Sequence, residues 1–263
     1  MIYNLNFRSL IRFNGLVCQK TTTHPKMQIK TKAIVLSSLK FQDKSLIVKC
    51  FTASDGLKTY FVRDAFSVKK QNQKIAYFQP LSILDIEATH KTNGGLQYFK
   101  EIRIDVPFAT IHTNLFKSTM AMFLAEMLQY AIHEEEQNHD LFEYIVTSLN
   151  WLDAHNDIAN FHLIFIAELT KFLGFYPDIS SIDNEFFDWK EGVFVGFQTV
   201  TSLTLNETIL FKKLLNLSFD HSQKIFNVSE RQLLLKILTD YFLMHLSGFR
   251  LPKSIAVLKE VFS

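Results

Sequence analysis

Glycine, proline and cysteine are all scarce in this chain of 263 residues, which contains eight, five and two of them. With so few glycines, the sequence has no Gly-rich loop of the kind that cradles phosphates in nucleotide-binding enzymes. It also lacks a nucleophile elbow and a paired-carboxylate site. These absences argue against an enzyme and against a bound nucleotide cofactor.

The number of cysteines and the length of the apolar runs indicate the cellular compartment of the protein. Cys18 and Cys50 are too few for a disulfide framework or a thiolate zinc site, which favours a reducing cytoplasm. Apolar runs such as residues 163–167 are far shorter than the roughly 20 residues that span a bilayer. We therefore expect a cytoplasmic protein, associated with the nucleoid if it binds DNA, with no membrane partner.

A group of histidines and acids around His133 and His139 could suggest a metal site. The two histidines are six residues apart, so they do not share a helix face, and no His-Glu-x-x-His pattern is present. A solvated acidic helix end is the better interpretation. We predict that the protein binds no metal and no other cofactor.

Hydrophobic residues, by contrast, are abundant, and their share of 48% with 26 phenylalanines predicts a packed globular protein. Charge is distributed unevenly along the chain. Residues 27–74 contain ten Lys or Arg and three acids, whereas residues 126–157 contain eight acids and neither Lys nor Arg. Such asymmetry indicates that the first region faces a polyanion and the second faces solvent or a protein.

The first 26 residues differ from the rest of the chain. They contain Arg8, Arg12, Lys20 and Lys26 without any acid, and they lack the apolar core of a secretory signal. Two interpretations stay open. Residues 1–26 are either an upstream extension, with the functional start at Met27, or a disordered basic arm.

Residues 27–107 have the pattern of a small β-barrel. Short runs of alternating apolar, β-branched and aromatic residues predict about five strands. Turn signals separate these runs, for example Asp55-Gly56 and residues 93–95. Five short strands in a segment of this length are typical of an OB-fold barrel.

Residues 108–263 have helical periodicity and predict an all-α domain with an irregular insert at about residues 179–200. Ser229 with Gln232 resembles a capping box, and Pro252 suits the first turn of a last short helix. One helix has an apolar stripe consisting of Phe116, Met120, Phe123, Met127 and Ala131. The predicted fold class is thus α+β and multidomain, with an N-terminal OB-fold β-barrel followed by a helical domain.

Cations of the predicted barrel are the candidate DNA-binding residues, because clustered Lys and Arg neutralise phosphates. They are Lys30, Lys32, Lys40, Lys44, Lys58, Arg63, Lys69, Lys70 and Lys74. The last three lie in a basic segment, residues 64–79, that could close on a phosphate backbone or could be an ordinary solvated loop. Aromatic residues between them could stack on unpaired bases, although most are expected in the barrel core. They are Phe41, Phe51, Tyr60, Phe61, Phe66, Tyr77 and Phe78.

Five stretches together resemble one known family. They are residues 32–36, 43–49, 55–63, 161–177 with the run Leu173-Gly174-Phe175-Tyr176-Pro177, and 241–261 with His245 and Leu258. In this order they resemble the RecO family of bacterial DNA-repair and recombination-mediator proteins. The resemblance extends from Met27 to the end of the chain.

The resemblance implies an OB-fold followed by a helical domain, in agreement with the periodicity. It further implies a protein that binds single- and double-stranded DNA, anneals complementary strands, and works with RecR to load RecA onto DNA coated by single-strand-binding protein. Use of a RecF-like partner is left open. The acidic tail of single-strand-binding protein is expected on the helical domain, where Lys171, Lys212 and Lys213 are candidates.

Two positions depart from the family pattern. Many members have a four-cysteine zinc site after the Leu-Gly-Phe-x-Pro element, but residues 179–197 contain no cysteine. Phe186, Phe187 and Trp189 are expected to hold that segment by packing instead. The position after Arg63 is often glycine in relatives and is Asp64 here, which bears on the backbone conformation and the charge at that point.

A function of a different class is the alternative. The chain could be a protein-interaction scaffold whose barrel binds RNA or an acidic partner and whose helices dock proteins. The salt dependence of binding separates the two, since sequence-independent capture of single-stranded DNA weakens steeply as salt rises.

Overall fold

The computed structural model describes residues 26–66, 73–91, 95–133, 137–221 and 225–263. Strands come first along the chain, and a short helix, α1 (Gln73–Ala76), lies between the third and the fourth. The strands of the first sheet are β1 (Lys26–Phe41), β2 (Ser45–Thr52), β3 (Gly56–Val62), β4 (Ile83–Lys91) and β5 (Tyr98–Val106).

These five strands form an antiparallel sheet in the order β3-β2-β1-β4-β5. Its two edge strands meet at Gln97. The amide of Phe61 donates to the carbonyl of Gln97 at 2.9 Å, and the amide of Gln97 donates to the carbonyl of Thr59 at 2.8 Å. The sheet is therefore closed into an OB-like barrel, and the predicted α+β fold class is confirmed.

Alternation along the strands divides the apolar side chains between two cores. On β2, Leu46, Val48 and Cys50 point into the barrel and are buried in its own core. Ile34 and Phe51 point outward and belong instead to the larger core of the helical part. One part of the outer barrel surface is therefore sealed by helices.

Six helices follow the barrel in the described part of the chain. They are α2 (Leu115–Ala131), α3 (His139–Ala154), α4 (Phe161–Phe172), α5 (Leu205–Leu215), α6 (Val228–His245) and α7 (Ile255–Val261). Four members of the predicted stripe on α2 are buried, but Phe116 is 47% exposed. Its ring instead lies edge-to-face against Phe262, with the centroids 5.4 Å apart.

Asp153, near the end of α3, fixes the segment that joins barrel and helices. Its carboxylate accepts hydrogen bonds from the amides of Ala109, Thr110 and Ile111 at 2.7–3.0 Å. Burial by itself would raise the pKa of Asp153, but these bonds hold it below its ordinary value. The buried ammonium of Lys117 donates to the Thr110 hydroxyl at 2.8 Å and to the Asp153 carbonyl at 2.9 Å.

The capping box predicted at Ser229 and Gln232 is wrong. Asn227 is the cap of α6: its side chain accepts from the amide of Glu230 at 2.9 Å, and the Glu230 carboxylate accepts from the amide of Asn227 at 2.8 Å. Both residue pairs have the same spacing of three. The helix begins at Val228, so Ser229 already lies inside it.

Pro252 also lies outside the last helix, contrary to the prediction. α7 begins at Ile255, and the amides just before it are bound by a residue distant in sequence. The Glu126 carboxylate on α2 accepts from the amides of Lys253 and Ser254 at 3.0 and 2.9 Å. This tertiary contact sets the start of α7.

The predicted irregular insert contains a 3-10 turn (Ile179–Ser181) and a hairpin of β6 (Phe186–Asp188) and β7 (Val193–Val195). Buried Phe187 fixes the hairpin by packing against the rings of Phe194 and Phe211, with centroids 4.9 and 4.8 Å away.

The Asp188 carboxylate closes the same insert. It accepts from the hydroxyls of Thr199 and Thr201 at 2.7–2.9 Å and from the amides of Lys190 and Glu191 at 3.1–3.2 Å. A zinc site of the four-cysteine type does not fit here, because residues 179–197 contain no thiol and the oxygens of Asp188 already accept four donors.

The described residues contain neither a membrane-spanning helix nor a cluster of metal-ligating side chains. Their helices include none that is long and apolar enough to cross a bilayer. The same residues contain no group of three or more His, Cys, Asp or Glu side chains that could hold a metal ion.

Candidate nucleic-acid interface

The outer surface of the barrel has a part that none of the described helices covers. Leu39, Ile47 and Phe61 lie there side by side, because Leu39 pairs with Ile47 and Ile47 pairs with Phe61 across β1, β2 and β3. Leu39 is 63% exposed. In OB-folds, the outer surface of the second and third strands is a common site for oligonucleotides.

Three aromatic rings form a row on this surface. Phe41 and Phe61 have centroids 6.0 Å apart, and Phe61 and Tyr98 have centroids 6.2 Å apart, both in edge-to-face geometry. Phe41 is 40% and Tyr98 is 38% exposed. The open face is our name for the rings together with their aliphatic and basic neighbours: Leu39, Phe41, Ile47, Lys49, Phe61 and Tyr98.

Lys49 on the open face was not among the predicted site residues. It pairs with Ser37 and Thr59, so its side chain points outward, between Ile47 and Phe51 on the same strand. Partial burial lowers the pKa of Lys49. Among the described residues, no carboxylate forms an ion pair with it. The period-two pattern of β2 was the sequence signal that could have identified this lysine.

Lys91 was also missed, and no sequence signal pointed to it. Its ammonium lies 5.3 Å from the centroid of the Tyr98 ring, which is within cation–π range. The Lys91 amide donates to the Gln97 side chain at 2.8 Å. The end of β4 is thereby fixed beside the row of rings.

Three predicted cations gather at one end of the barrel. Lys40, Lys44 and Arg63 are all exposed. We call these three residues the cationic end. The register brings them together, because Lys40 pairs with Leu46 and Leu46 pairs with Val62, the neighbour of Arg63. Lys40 also lies 5.5 Å from the centroid of the Phe66 ring.

Two residues at this end have left-handed backbone conformations. Gln42, in the turn between β1 and β2, has φ +54°, and Asp64, directly after Arg63, has φ +52°. Glycine adopts this region without strain, and aspartate tolerates it better than most residues do. The turn at residue 64 therefore requires a left-handed backbone conformation whether Gly or Asp occupies it. Asp64 also adds a negative charge beside Arg63.

Lys30 and Lys32, the other predicted lysines of β1, lie on the part of the barrel that is formed by β1, β4 and β5. Lys30 pairs with Glu87 and Lys32 pairs with Asp85. The Lys32 ammonium is also 3.0 Å from the carboxylate of Asp105. Cross-strand neighbours extend this pattern into a charge ladder of Lys30, Lys32, Asp85, Glu87, Glu101, Arg103 and Asp105. Three cations face four carboxylates there, so their field is locally neutralised.

Lys58 lies near a buried polar cluster of the barrel, which consists of Tyr60, His90 and Asp55. The Tyr60 hydroxyl is 2.8 Å from Nε2 of His90, and Nδ1 of His90 is 3.6 Å from the Asp55 carboxylate. Burial lowers the pKa of His90, Asp55 raises it, and the charge of Lys58 lowers it further. The ammonium of Lys58 thus acts on this cluster.

Several remaining candidates lie outside the described part of the chain or have other partners. Lys69 and Lys70 fall outside the described residues, as does the side chain of Lys74. On the helical domain, Lys171 pairs with Glu168 at 2.6 Å, and Lys212 donates to the Asn184 carbonyl at 2.6 Å.

Burial divides the aromatic candidates into core and surface residues: Tyr60 and Phe78 fill the barrel as predicted, whereas Phe51 is buried against the helices. Phe51, Tyr60 and Phe78 are core residues. The half-buried side chains Phe66 and Tyr77 pack against the inner core. Only Phe41 and Phe61 of that set contribute rings to the open face.

The chain was compared with protein-family models and with curated proteins. Residues 27–108 match the model of the recombination protein O N terminal, and residues 112–255 match the model of its C terminal. The chain belongs to the RecO family. It is 65% identical over 237 residues to the DNA repair protein RecO of Flavobacterium johnsoniae, covering 90% of this chain and 100% of that relative.

Other RecO relatives agree over the same extent. The DNA repair protein RecO of Flavobacterium psychrophilum is 60% identical and that of Christiangramia forsetii is 41% identical, each over 238 residues. Both alignments cover 90% of this chain and 100% of the relative. The chain is therefore a member of a DNA-repair family.

The two C-terminal stretches that resembled the RecO family meet in space. Phe175, from the Leu-Gly-Phe-Tyr-Pro run, stacks on His245 with centroids 5.7 Å apart, and Tyr241 lies 4.3 Å from the same imidazole. The His245 side chain hydrogen-bonds the Trp189 carbonyl at 2.8 Å. These residues anchor the β6–β7 hairpin to α6.

Proposed function

We propose that this chain is a non-catalytic recombination mediator that binds single- and double-stranded DNA, anneals complementary strands, and helps to load RecA onto DNA coated by single-strand-binding protein. Residues 27–107 form the nucleic-acid-binding unit, residues 108–263 form the helical unit with its insert at about 179–200, and residues 1–26 stand apart from both.

The observation that carries this proposal is the division of the outer barrel surface. Helices seal the part around Ile34 and Phe51. The open face and the cationic end remain accessible and adjacent, with Lys40, Lys44 and Arg63 at the border. An apolar aromatic surface bordered by cations matches the chemistry of a nucleic-acid strand, which has bases on one side and phosphates on the other.

The proposed mechanism is electrostatic capture. Cations that replace the counterions of a phosphate backbone gain free energy from counterion release, and this gain falls as salt rises. Two captured strands held close together at one protein can pair without any covalent step. Annealing therefore requires neither nucleotide hydrolysis nor a metal ion.

The nine predicted binding residues have different roles in the proposed DNA binding. Lys40, Lys44 and Arg63 make the main phosphate contacts, and Lys49 and Lys91 join them. Because carboxylates balance Lys30 and Lys32, these two contribute less. Lys58 acts mainly on the buried cluster of His90. For Lys69, Lys70 and Lys74, DNA contact stays a prediction from the sequence.

Partners follow from the family resemblance. RecR, the C-terminal tail of single-strand-binding protein and, indirectly, RecA are the proposed partners, and a RecF-like protein is a further one. Since Lys171 and Lys212 already have partners, the exposed Lys213 is the leading one of the three tail-binding candidates. With DNA as its ligand, the protein is proposed to act in the cytoplasm at the nucleoid.

The direct test is annealing of two complementary oligonucleotides coated with the cognate single-strand-binding protein. The full chain should accelerate annealing in the presence of a metal chelator and without nucleotide. Acceleration should decline as salt rises. Failure to bind or anneal DNA at low salt would contradict the proposal and favour the protein-interaction scaffold.

A further inference from the structure

We infer that the row of Phe41, Phe61 and Tyr98 selects single-stranded DNA, whereas the cationic end binds the backbone of either form. This inference rests on the proposed function, since it assigns different DNA substrates to two parts of one interface. Its consequence is that substitutions can remove single-strand preference and leave duplex binding intact.

Ring spacing is the first reason. Neighbouring centroids in the row are 6.0 and 6.2 Å apart. Successive nucleotides of a duplex strand are separated by about 3.4 Å along the helix axis. Bases that contact successive rings must therefore be pulled apart from each other. A stretched single strand can adopt this spacing, but a stacked duplex cannot.

Exposure of the rings is the second reason. Phe41 and Tyr98 are 40% and 38% exposed, and Leu39 beside them is 63% exposed. Exposed rings provide sequence-tolerant platforms for bases. The base faces in the interior of a duplex are already covered by their neighbours, so only unpaired bases can use such platforms.

The placement of Lys49 and Lys91 is the third reason. Both lie beside the row, and the partly buried Lys49 has no carboxylate partner among the described residues. Buried charges are normally paired. A phosphate of a strand that follows the rings would supply the missing counter-charge.

Among the described residues, the cationic end has no comparable row of rings. Lys40, Lys44 and Arg63 project from the β1–β2 turn and the end of β3, and phosphates are the groups they can bind. Single strands and duplexes both present phosphates. The cationic end therefore contributes affinity for both, and the rings contribute the difference between them.

The test compares a single-stranded oligothymidylate with a mixed-sequence duplex, each about 20 nucleotides long so that it exceeds the site of one OB-fold. Fluorescence anisotropy gives the Kd of the full chain for both probes. The F41A/Y98A variant should lose about tenfold or more in single-strand affinity and less than about twofold in duplex affinity. Its salt dependence should stay that of the unsubstituted protein, because no cation is removed.

A matched control removes two exposed rings elsewhere. Phe116 and Phe197 are 47% and 70% exposed on the helical domain, and F116A/F197A should leave both affinities unchanged. Thermal unfolding checks that both variants are folded. Independently of any variant, a 5-bromouracil-containing single strand should photo-crosslink to Tyr98 of the unsubstituted protein.

The outcomes are separable from those of the proposed function. If the unsubstituted protein binds neither probe at low salt, the proposed function fails. If it binds both and F41A/Y98A weakens them equally, or weakens neither, DNA binding stands and the inference is overturned. Absence of crosslinks to Tyr98 would count against the inference in the same way.

Discussion

Two sides of one barrel contain similar numbers of basic residues and yet present opposite surfaces. At the cationic end and on the open face, Lys40, Lys44, Arg63 and Lys49 have no carboxylate ion pair among the described residues. On the charge ladder, three cations lie among four carboxylates of neighbouring strands. Cross-strand neighbours, and not the count of lysines, decide where a phosphate backbone is attracted.

A single strand contributes to both sides. β1 pairs with β4 through its first half and with β2 through its second half, with an irregularity in register between Val35 and Ser37. Such a bulge bends a strand and changes the direction of its side chains. Lys32 therefore faces acids, whereas Lys40 lies at the exposed end of the barrel.

Charge reversal should produce the largest effect. The triple variant K40E/K44E/R63E is expected to lose on the order of a hundredfold in affinity for single-stranded DNA. The slope of log affinity against log salt should become shallower by about two, because each lost phosphate contact removes about 0.7. Anisotropy titrations over a range of salt measure both quantities.

The matched control reverses three cations of the charge ladder. K30E/K32E/R103E should change affinity far less, since those charges are already compensated by carboxylates. Equal losses in the two triple variants would show that only total charge matters. Chemical unfolding of both variants checks that the difference arises at the surface.

Acid should destabilise the helical core through one buried histidine. His162 is buried in the helical core, and burial, together with Arg231, lowers its pKa to about 3 from 6.5. Between these values the unfolded chain binds more protons than the folded one. The contribution of neutral His162 to stability is therefore complete above about pH 6.5 and declines as the pH falls towards 3. At about pH 5.5 the loss is about 1.4 kcal/mol.

Urea unfolding of the unsubstituted protein and of H162Q at about pH 7.5 and 5.5 measures this loss. The variant should lack the share of His162 in the acid-dependent free energy of unfolding, whereas His90 and His112, whose pKa values burial also lowers, keep theirs. H155Q is the control, because His155 is exposed on the same domain. If H162Q retains the full pH dependence, another group is responsible.

The smallest effect is expected at Asp64. D64N removes a charge beside Arg63 while keeping a residue that tolerates φ +52°, so DNA affinity should rise by about two- to threefold. D64G should bind like D64N, since glycine adopts the same conformation. D85N removes a carboxylate from the charge ladder instead. If D85N changes the Kd measured by anisotropy less than D64N does, the position of the carboxylate matters.

Local patterns predicted much of the fold. Short apolar runs predicted about five strands, and helical periodicity located α2 through its buried Met120 and Phe123. Spacing failed where two equivalent choices existed. The pairs Ser229 with Gln232 and Asn227 with Glu230 have the same separation, and only the observed start of α6 distinguishes them.

The candidate site was less predictable because it depends on distant partners. The acids that compensate Lys30 and Lys32 are more than 50 residues away in sequence. The row of rings joins Phe41, Phe61 and Tyr98 from three strands, and Tyr98 had no local signal of exposure. Even the start of α7 depends on Glu126, which lies on α2.

Three properties follow from the order of residues alone: the strand and helix periods, the scarcity of cysteine that rules out a four-thiolate zinc site, and the excess of cations in the first half of the barrel. These are properties of neighbouring residues. Which cations stay uncompensated and which rings stay exposed is set by folding. Both depend on strand pairing and on the helices that cover one part of the barrel, and these contacts join residues far apart in the chain.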